Sequence, residues 1–163
     1  MIKFEKSIIL HVKMTETPNY HIALIDHKET HLVRHPVLRQ GRPLEDCIFD
    51  GDELATTLHF GLFINQNLVA VASFMENPHS LINEKKQYQL RGMAVLKEYQ
   101  GIGLGHNILK HAETILRTKD ATVIWCNARE IAVHFYKKNQ FEIIGKPFLI
   151  PNIGLHFIMK KTL

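Results

Sequence analysis

Cysteine is nearly absent from this 163-residue chain, which carries only Cys47 and Cys126. Two thiols are too few for a disulfide framework, and neither stands in a metal-binding spacing. Cys126 lies in an apolar stretch and is expected to be a packed thiol. Long apolar runs are missing as well: nothing reaches the roughly 20 residues that a bilayer-spanning helix needs. The N-terminus has a short apolar run at Ile8, Ile9 and Leu10, but it carries Glu5 and lacks the small-residue cleavage site of a secretory signal. No membrane partner and a cytoplasmic address are therefore expected. With 9 glycines and 6 prolines, and without low-complexity tracts or internal repeats, the composition is that of an ordered globular protein. The length suits one domain over residues 1–163, with a substantial core.

Acidic residues are outnumbered: 20 Lys and Arg face 16 Asp and Glu, giving a net charge of +4 and a pI near 9.1. That balance invites a nucleic-acid partner. The basic residues are scattered, however, with the densest groups at Lys137-Lys138 and Lys160-Lys161. Such dispersion reads as a solvated surface, part of which can attract a phosphate-bearing ligand.

What is present centres on residues 90–112. An apolar run (Met93, Ala94, Val95, Leu96) passes through Lys97, Glu98 and Tyr99 into Gln-Gly-Ile-Gly-Leu-Gly, residues 100–105. A segment with Leu104, Ile108, Leu109, Ala112, Ile115 and Leu116 on one helical face follows. The pattern predicts strand, glycine loop and helix. Gly101, Gly103 and Gly105 permit close backbone approach to a ligand. The free N–H groups and the dipole at the start of the helix favour an anion, best a phosphate or pyrophosphate. The spacing is not the dinucleotide fingerprint G-x-G-x-x-G, whose last glycine would fall on His106, and no Gly-Lys-Ser/Thr follows to make a P-loop.

Read as Gln100-x-x-Gly103-x-Gly105, the loop resembles the acyl-coenzyme A signature Arg/Gln-x-x-Gly-x-Gly/Ala of the GNAT superfamily of N-acetyltransferases. The run MAVLKEYQGIGLG, residues 93–105, resembles that family's strand-to-helix junction over its whole length. Asn127-Ala128-Arg129 followed by His134-Phe135-Tyr136-Lys137-Lys138 resembles the later motif ending in Phe-Tyr. The resemblance spans residues 22–160; residues 1–15 precede it as an extra edge strand or a tail.

The resemblance implies an α/β (α+β) fold with a central, mostly antiparallel mixed sheet, splayed between its middle strands and flanked by helices. It implies an N-acetyltransferase that moves an acetyl group from acetyl-CoA to a primary amine of a small molecule, peptide or protein. The backbones of Gln100, Gly101, Ile102, Gly103, Leu104 and Gly105 would hold the pyrophosphate, and Met93, Ala94 and Val95 would pair with the pantetheine arm. A backbone N–H near Met93 to Val95 would face the oxyanion, and Tyr136 would protonate the leaving thiolate. Asn127 would bind the pantetheine arm or cap the helix after it. The general base stays open among His59, Glu76 and a water chain. No metal is implied, and a homodimer is in keeping with the family's habits. A non-catalytic coenzyme A-binding sensor or interaction module is the alternative function, and a nucleic-acid-binding protein a third.

Elsewhere, residues 20–25 are expected as a first strand and 28–37 as a helix closed near Pro36. His27, His31 and His35 recur every fourth residue and read as surface or partly packed side chains rather than metal ligands. Residues 39–52 read as a long loop or broken helix; by the resemblance it walls the acceptor site, with Arg39, Arg42, Glu45 and Asp46 as candidate contacts. Strands are expected at 56–64, 68–74, 87–96 and 122–126, with a helix starting just after Asn127. Residues 141–144 and 155–159 are expected as two last strands separated by a long connection containing Pro147, Pro151 and Gly154. One departure from the family is Gln140-Phe141 in place of Gly-Phe, which leaves Asn139 or Gln140 to take a left-handed conformation.

Overall fold

A computed structural model describes residues 18–163; the segment 1–15 lies outside the described residues. Seven strands form one sheet: β1 (His21–Leu24), β2 (Leu58–Ile64), β3 (Asn67–Glu76), β4 (Gln87–Val95), β5 (Val123–Arg129), β6 (Glu142–Ile150) and β7 (Gly154–Thr162). Their order is β1-β2-β3-β4-β5-β7-β6. Every neighbouring pair is antiparallel except β4–β5. Three α-helices accompany the sheet: α1 (His31–Leu38), α2 (Leu104–Arg117) and α3 (Val133–Lys138). This is the mixed, mostly antiparallel α/β arrangement that the sequence predicts.

The two-residue period of β3 divides the core between the helices. Ala70, Ala72 and Phe74 pack with Leu104, Ile108, Leu109, Ala112 and Leu116 of α2. Val71 faces the other way and packs with Val33 of α1 and Ala94 of β4. Burying each such leucine or isoleucine contributes about 1.5–3 kcal/mol, so the amphipathic face of α2 fixes where its N-terminus points. Between β2 and β3, Asn65 and Gln66 both have positive φ, the backbone of a two-residue I′ hairpin turn.

The C-terminal third differs from expectation. β5 runs on past Cys126 to Arg129, so α3 starts only after a 3₁₀ turn at Glu130–Ala132 and not directly behind Asn127. There is no long connection before the last strand: β6 continues through Pro147 to Ile150, and a turn at Pro151, Asn152 and Ile153 leads into β7. Pro147 is tolerated because β6 is the edge strand and the register shifts between Ile144 and Phe148.

The sheet is opened in the middle. β4 and β5 pair only where Gln87, Tyr88 and Gln89 meet Val123, Ile124 and Trp125, although both strands continue beyond. On its other edge β4 carries a bulge: Arg91 pairs with Ser73 and Ala94 with Val71, leaving Gly92 and Met93 opposite Ala72. A bulge bends and twists its strand, and here it accompanies the divergence of β4 from β5 that leaves a slot.

Candidate active site

One half of the slot is a cavity of about 610 Å³ lined by Met93, Ala94, Val95, Gln100, Gly101, Gly103, Leu104, Gly105 and Tyr136. These are the residues the sequence singles out, save two. Ile102 does not line this cavity and packs against the main core; Asn127 lines the other half of the slot.

Local chemistry explains the loop. Gly101 and Gly103 have φ of +80° and +88°, and a Cβ built on either would meet no atom within 4 Å. A side chain there would be strained and would project into open space. Gly103 is also the N-cap of α2 and offers no side-chain cap, so the first N–H groups of the helix remain available to an anion. Gly105 has a different role: its Cβ would lie 3.2 Å from the Phe135 ring, so the missing side chain lets α2 and α3 close up. The Gln100 Nε2 donates to the Val95 carbonyl at 2.9 Å and ties the loop to the end of β4. Leu96 N–H donates to the Val69 carbonyl at 2.9 Å; strand alternation therefore turns the N–H of Val95 away from β3 and toward the slot.

The other half is a cavity of about 280 Å³ whose wall includes Arg39, Phe49, Gln89, Arg91, Asn127, Arg129, Ile150, Ile153 and His156. The two cavities share Met93, Ala132 and Tyr136, and so meet at the mouth of the splay. Of the four acceptor-wall candidates in residues 39–52, only Arg39 lines it; Arg42 is taken up by Asp46 at 2.7 Å, and Glu45 is exposed outside. Asn127 is a strand residue opposite Ile158, which rules out a capping role: Arg129 and Ala132 hold the N-cap positions of the turn and of α3.

Tyr136 is 8% exposed, with the rings of Phe135 and Phe141 each 5.3 Å away. Burial, with the Cys126 thiol beside the hydroxyl, pushes the phenol well above its ordinary value of 10. It is therefore protonated throughout the neutral range. The Cys126 thiol is itself pushed up by burial and stays protonated.

His156 was missed by the sequence. It is 4% exposed, on β7 opposite Arg129. Its Nδ1 lies 2.8 Å from the Gly154 carbonyl, which can only accept, so Nδ1 carries the proton and Nε2 the lone pair. That Nε2 has no protein partner among the described residues and is not sealed from solvent. His156 falls within the strand expected at 155–159, but the sequence predicts β5 only to 126, short of Arg129, the residue that pairs with it.

The bases suggested by the sequence lie elsewhere. Glu76 binds Lys86 at 2.8 Å and does not line the slot. His59 has both ring nitrogens occupied, at 2.6 Å from Ser73 Oγ and 2.9 Å from the Asp52 carbonyl. It belongs to a buried network beneath the acceptor wall. Arg34, fully buried on α1, donates to Asp52, to the Cys47 carbonyl at 2.9 Å and to Ser73 Oγ at 2.7 Å. Ser73 then donates to His59 Nδ1, and His59 donates from Nε2 to Asp52 O. Burial pulls His59 below its ordinary value, which agrees with this neutral form. Burial alone would raise the Asp52 carboxyl, but Arg34 and the Phe49 N–H hold it below the usual range. The Phe49 ring rests on Arg34 at 4.4 Å. A Cβ at Gly92, whose φ is +58°, would stand 2.5 Å from Arg34 Nε and 2.8 Å from the Phe49 ring; this glycine keeps the wall in place.

The three histidines line one groove beside α1 but do not converge as metal ligands. His27 stands in a 3₁₀ turn ahead of α1, His35 Nε2 contacts the Arg42 carbonyl at 2.8 Å, and His31 Nε2 is buried without a partner. Among the described residues no three His, Cys, Asp or Glu side chains cluster as metal ligands. No helix among them is long and apolar enough to cross a membrane.

The sequence profile of the Acetyltransferase (GNAT) family matches residues 20–141. YitI, an uncharacterized N-acetyltransferase of Bacillus subtilis (strain 168), is 36% identical over 142 residues, covering 87% of this chain and 95% of its own. The crystal structure of Escherichia coli ElaA superposes with a TM-score of 0.69 at 18% identity, over 88% of this chain and 99% of ElaA. A GNAT family acetyltransferase from Elizabethkingia anophelis with acetyl-CoA bound gives 0.64 at 14% identity, over 90% of this chain and all of that one. The two structures share the fold, and the profile and the bacterial relative share the sequence: the chain belongs to the GNAT family of acetyltransferases.

Proposed function

We propose that this chain acts as one domain that transfers the acetyl group of acetyl-CoA to a primary amine by direct attack. The observation that carries the reading is the meeting, at Tyr136, of a glycine-loop cavity at the N-terminus of α2 with a second cavity that holds a free histidine nitrogen. Bound acetyl-CoA would supply the activated thioester. The uncapped N–H groups behind Gly103 hold its pyrophosphate, and the free edge of β4 at Met93 and Val95 pairs with the pantetheine arm.

In this reading His156 Nε2 takes a proton from the amine, which must be neutral to form the C–N bond. A β4 N–H donates to the carbonyl oxygen as it gains charge. As the C–S bond breaks, Tyr136 gives its phenolic proton to the thiolate, and the proton that the acylated nitrogen sheds returns to the Tyr136 phenolate through solvent. Proton transfer from a phenol to an alkyl thiolate is uphill from a pKa above 10 to one near 8.5 in water, but a thiolate emerging in the same desolvated wall is raised by the same cause.

Calorimetric titration with acetyl-CoA tests the donor site, using wild type and Gly103→Glu, whose side chain both crowds and repels the pyrophosphate. Binding by the wild type that is lost in a folded variant is the expected result; no wild-type binding refutes the reading. Binding with no turnover across an amine panel would turn the reading into a coenzyme A-binding module.

A further inference from the structure

The acceptor cavity is lined by three arginines that, among the described residues, have no ion-paired carboxylate. Arg39, Arg91 and Arg129 all line it, each half-buried, and none lies within ion-pair distance of a carboxylate among the described residues. Their visible partners are neutral main-chain carbonyls. Arg39 donates to Asp46 O at 3.1 Å and Leu38 O at 3.0 Å, Arg129 to Leu38 O at 3.2 Å, and Arg91 to Asp50 O. Of the nearby carboxylates, Asp52 is held by Arg34 and Asp46 by Arg42, while Asp50, whose main-chain carbonyl accepts from Arg91, acts on that guanidinium only from beyond ion-pair distance. Among the described residues no Asp or Glu lines the cavity. The guanidinium carbons of Arg39 and Arg91 lie 5.3 and 5.2 Å from the centre of the Phe49 ring, a cation–π contact that leaves N–H donors unused. No unbonded nitrogen of these three is sealed from solvent. Burial, and the presence of Arg129 nearby, pull the Arg39 guanidinium below its ordinary pKa, the mark of a cation short of counter-charge.

Resting on the acetyl-transfer reading, we infer that the acceptor is a small primary amine carrying an anionic group, a carboxylate or a phosphoester, that docks on Arg39, Arg91 and Arg129 while its amine points to His156. Guanidinium forks recognise either oxyanion through paired N–H donors. The same cluster repels polyamines and aminosugars, whose remote groups are cationic.

The test uses matched amines at saturating acetyl-CoA: γ-aminobutyrate against n-butylamine, phosphoethanolamine against ethanolamine, and agmatine as the cationic probe. The anionic member should win in kcat/KM by about tenfold or more, and Arg129→Gln or Arg39→Gln should collapse that ratio by a similar factor, mainly through KM. Arg129→Lys should retain part of it. The carboxylate and phosphate pairs show which oxyanion is favoured. A preference for neutral or cationic amines, or a ratio untouched by both glutamine variants, overturns the inference while the acetyl-transfer reading stands.

A second arm needs no turnover. Glutarate and inorganic phosphate are titrated into the acetyl-CoA-saturated protein, so that the glycine loop is already filled. Saturable binding that Arg129→Gln and Arg39→Gln weaken supports the inference, and its absence refutes it. If acetyl-CoA itself fails to bind, the functional reading falls, and the same titration on the free protein still decides whether the arginines hold an anion.

Discussion

The two halves of the slot are built in opposite ways. The donor half comes mainly from two stretches of chain, the end of β4 with the loop into α2 and residues 131–139 around α3, which include Tyr136. The acceptor half draws on five separate places: Arg39 behind α1, Phe49 in the following loop, Arg91 on β4, Arg129 on β5, and Ile150, Ile153 and His156 around the β6–β7 turn. The first is fixed by local backbone conformation, the second by strand register and by a buried polar network. A local motif survives changes elsewhere in the chain; a cavity assembled from distant pieces fails when any of its supports does.

The largest effect should come from removing a support of the acceptor half. Arg34 and Asp52 are almost completely buried, with side chains 0% and 4% exposed, so Asp52→Ala leaves a guanidinium without its counter-charge. A loss of about 3–5 kcal/mol is expected in denaturant unfolding. A loss below about 1 kcal/mol would show that the wall does not depend on this pair. Tyr136→Phe comes next, with kcat reduced about 100-fold and acetyl-CoA affinity unchanged in calorimetry. If kcat is unaffected, the tyrosine is only packing between Phe135 and Phe141. His156→Gln should lower kcat/KM about tenfold for an amine of high pKa; an unchanged kcat/KM would remove His156 as the base.

The network also predicts a pH dependence of stability. The unfolded chain protonates His59 as pH falls through 6.5, whereas in the folded chain burial delays this to lower pH. Stability present above 6.5 is therefore lost as pH drops toward the folded value, and the thermal midpoint should fall between pH 7 and 5. His31, also pulled down by burial, adds in the same direction. His59→Gln should shrink the slope; an equal slope would place its source elsewhere. The smallest effect is at Gln140, exposed and held at φ +69°. Gln140→Gly should stabilise by up to about 1 kcal/mol in thermal unfolding without changing either half of the slot.

The donor half was legible because its signals are short-range. Glycines at 101 and 103 announce positive φ, and the spacing of Leu104, Ile108, Leu109 and Ala112 announces the helix behind them. The strand order up to β4 was legible for the same reason, from runs of alternating or continuous apolar residues. The acceptor half was not. Pro147 reads as a strand breaker unless β6 is known to be an edge, and a β5 expected to end at 126 leaves His156 without its neighbour Arg129. His59 reads as a candidate base until tertiary contacts occupy both its nitrogens. At residues 139–140 the sequence left two candidates for the left-handed position; Asn139, at φ −94°, is kept out of it by side-chain bonds to the Phe135 carbonyl and His106.

Gly92 sets which parts of this molecule are free to diverge. Any side chain there would collide with Arg34 and Phe49 and would oppose the left-handed backbone of the bulge. Every replacement thus meets two obstacles at once, and no single change elsewhere relieves both. Arg39, Arg91 and Arg129 carry no such burden, since their side chains end in the cavity. Descendants of this chain can therefore exchange one acceptor for another by altering the arginines one at a time, over a floor that stays still.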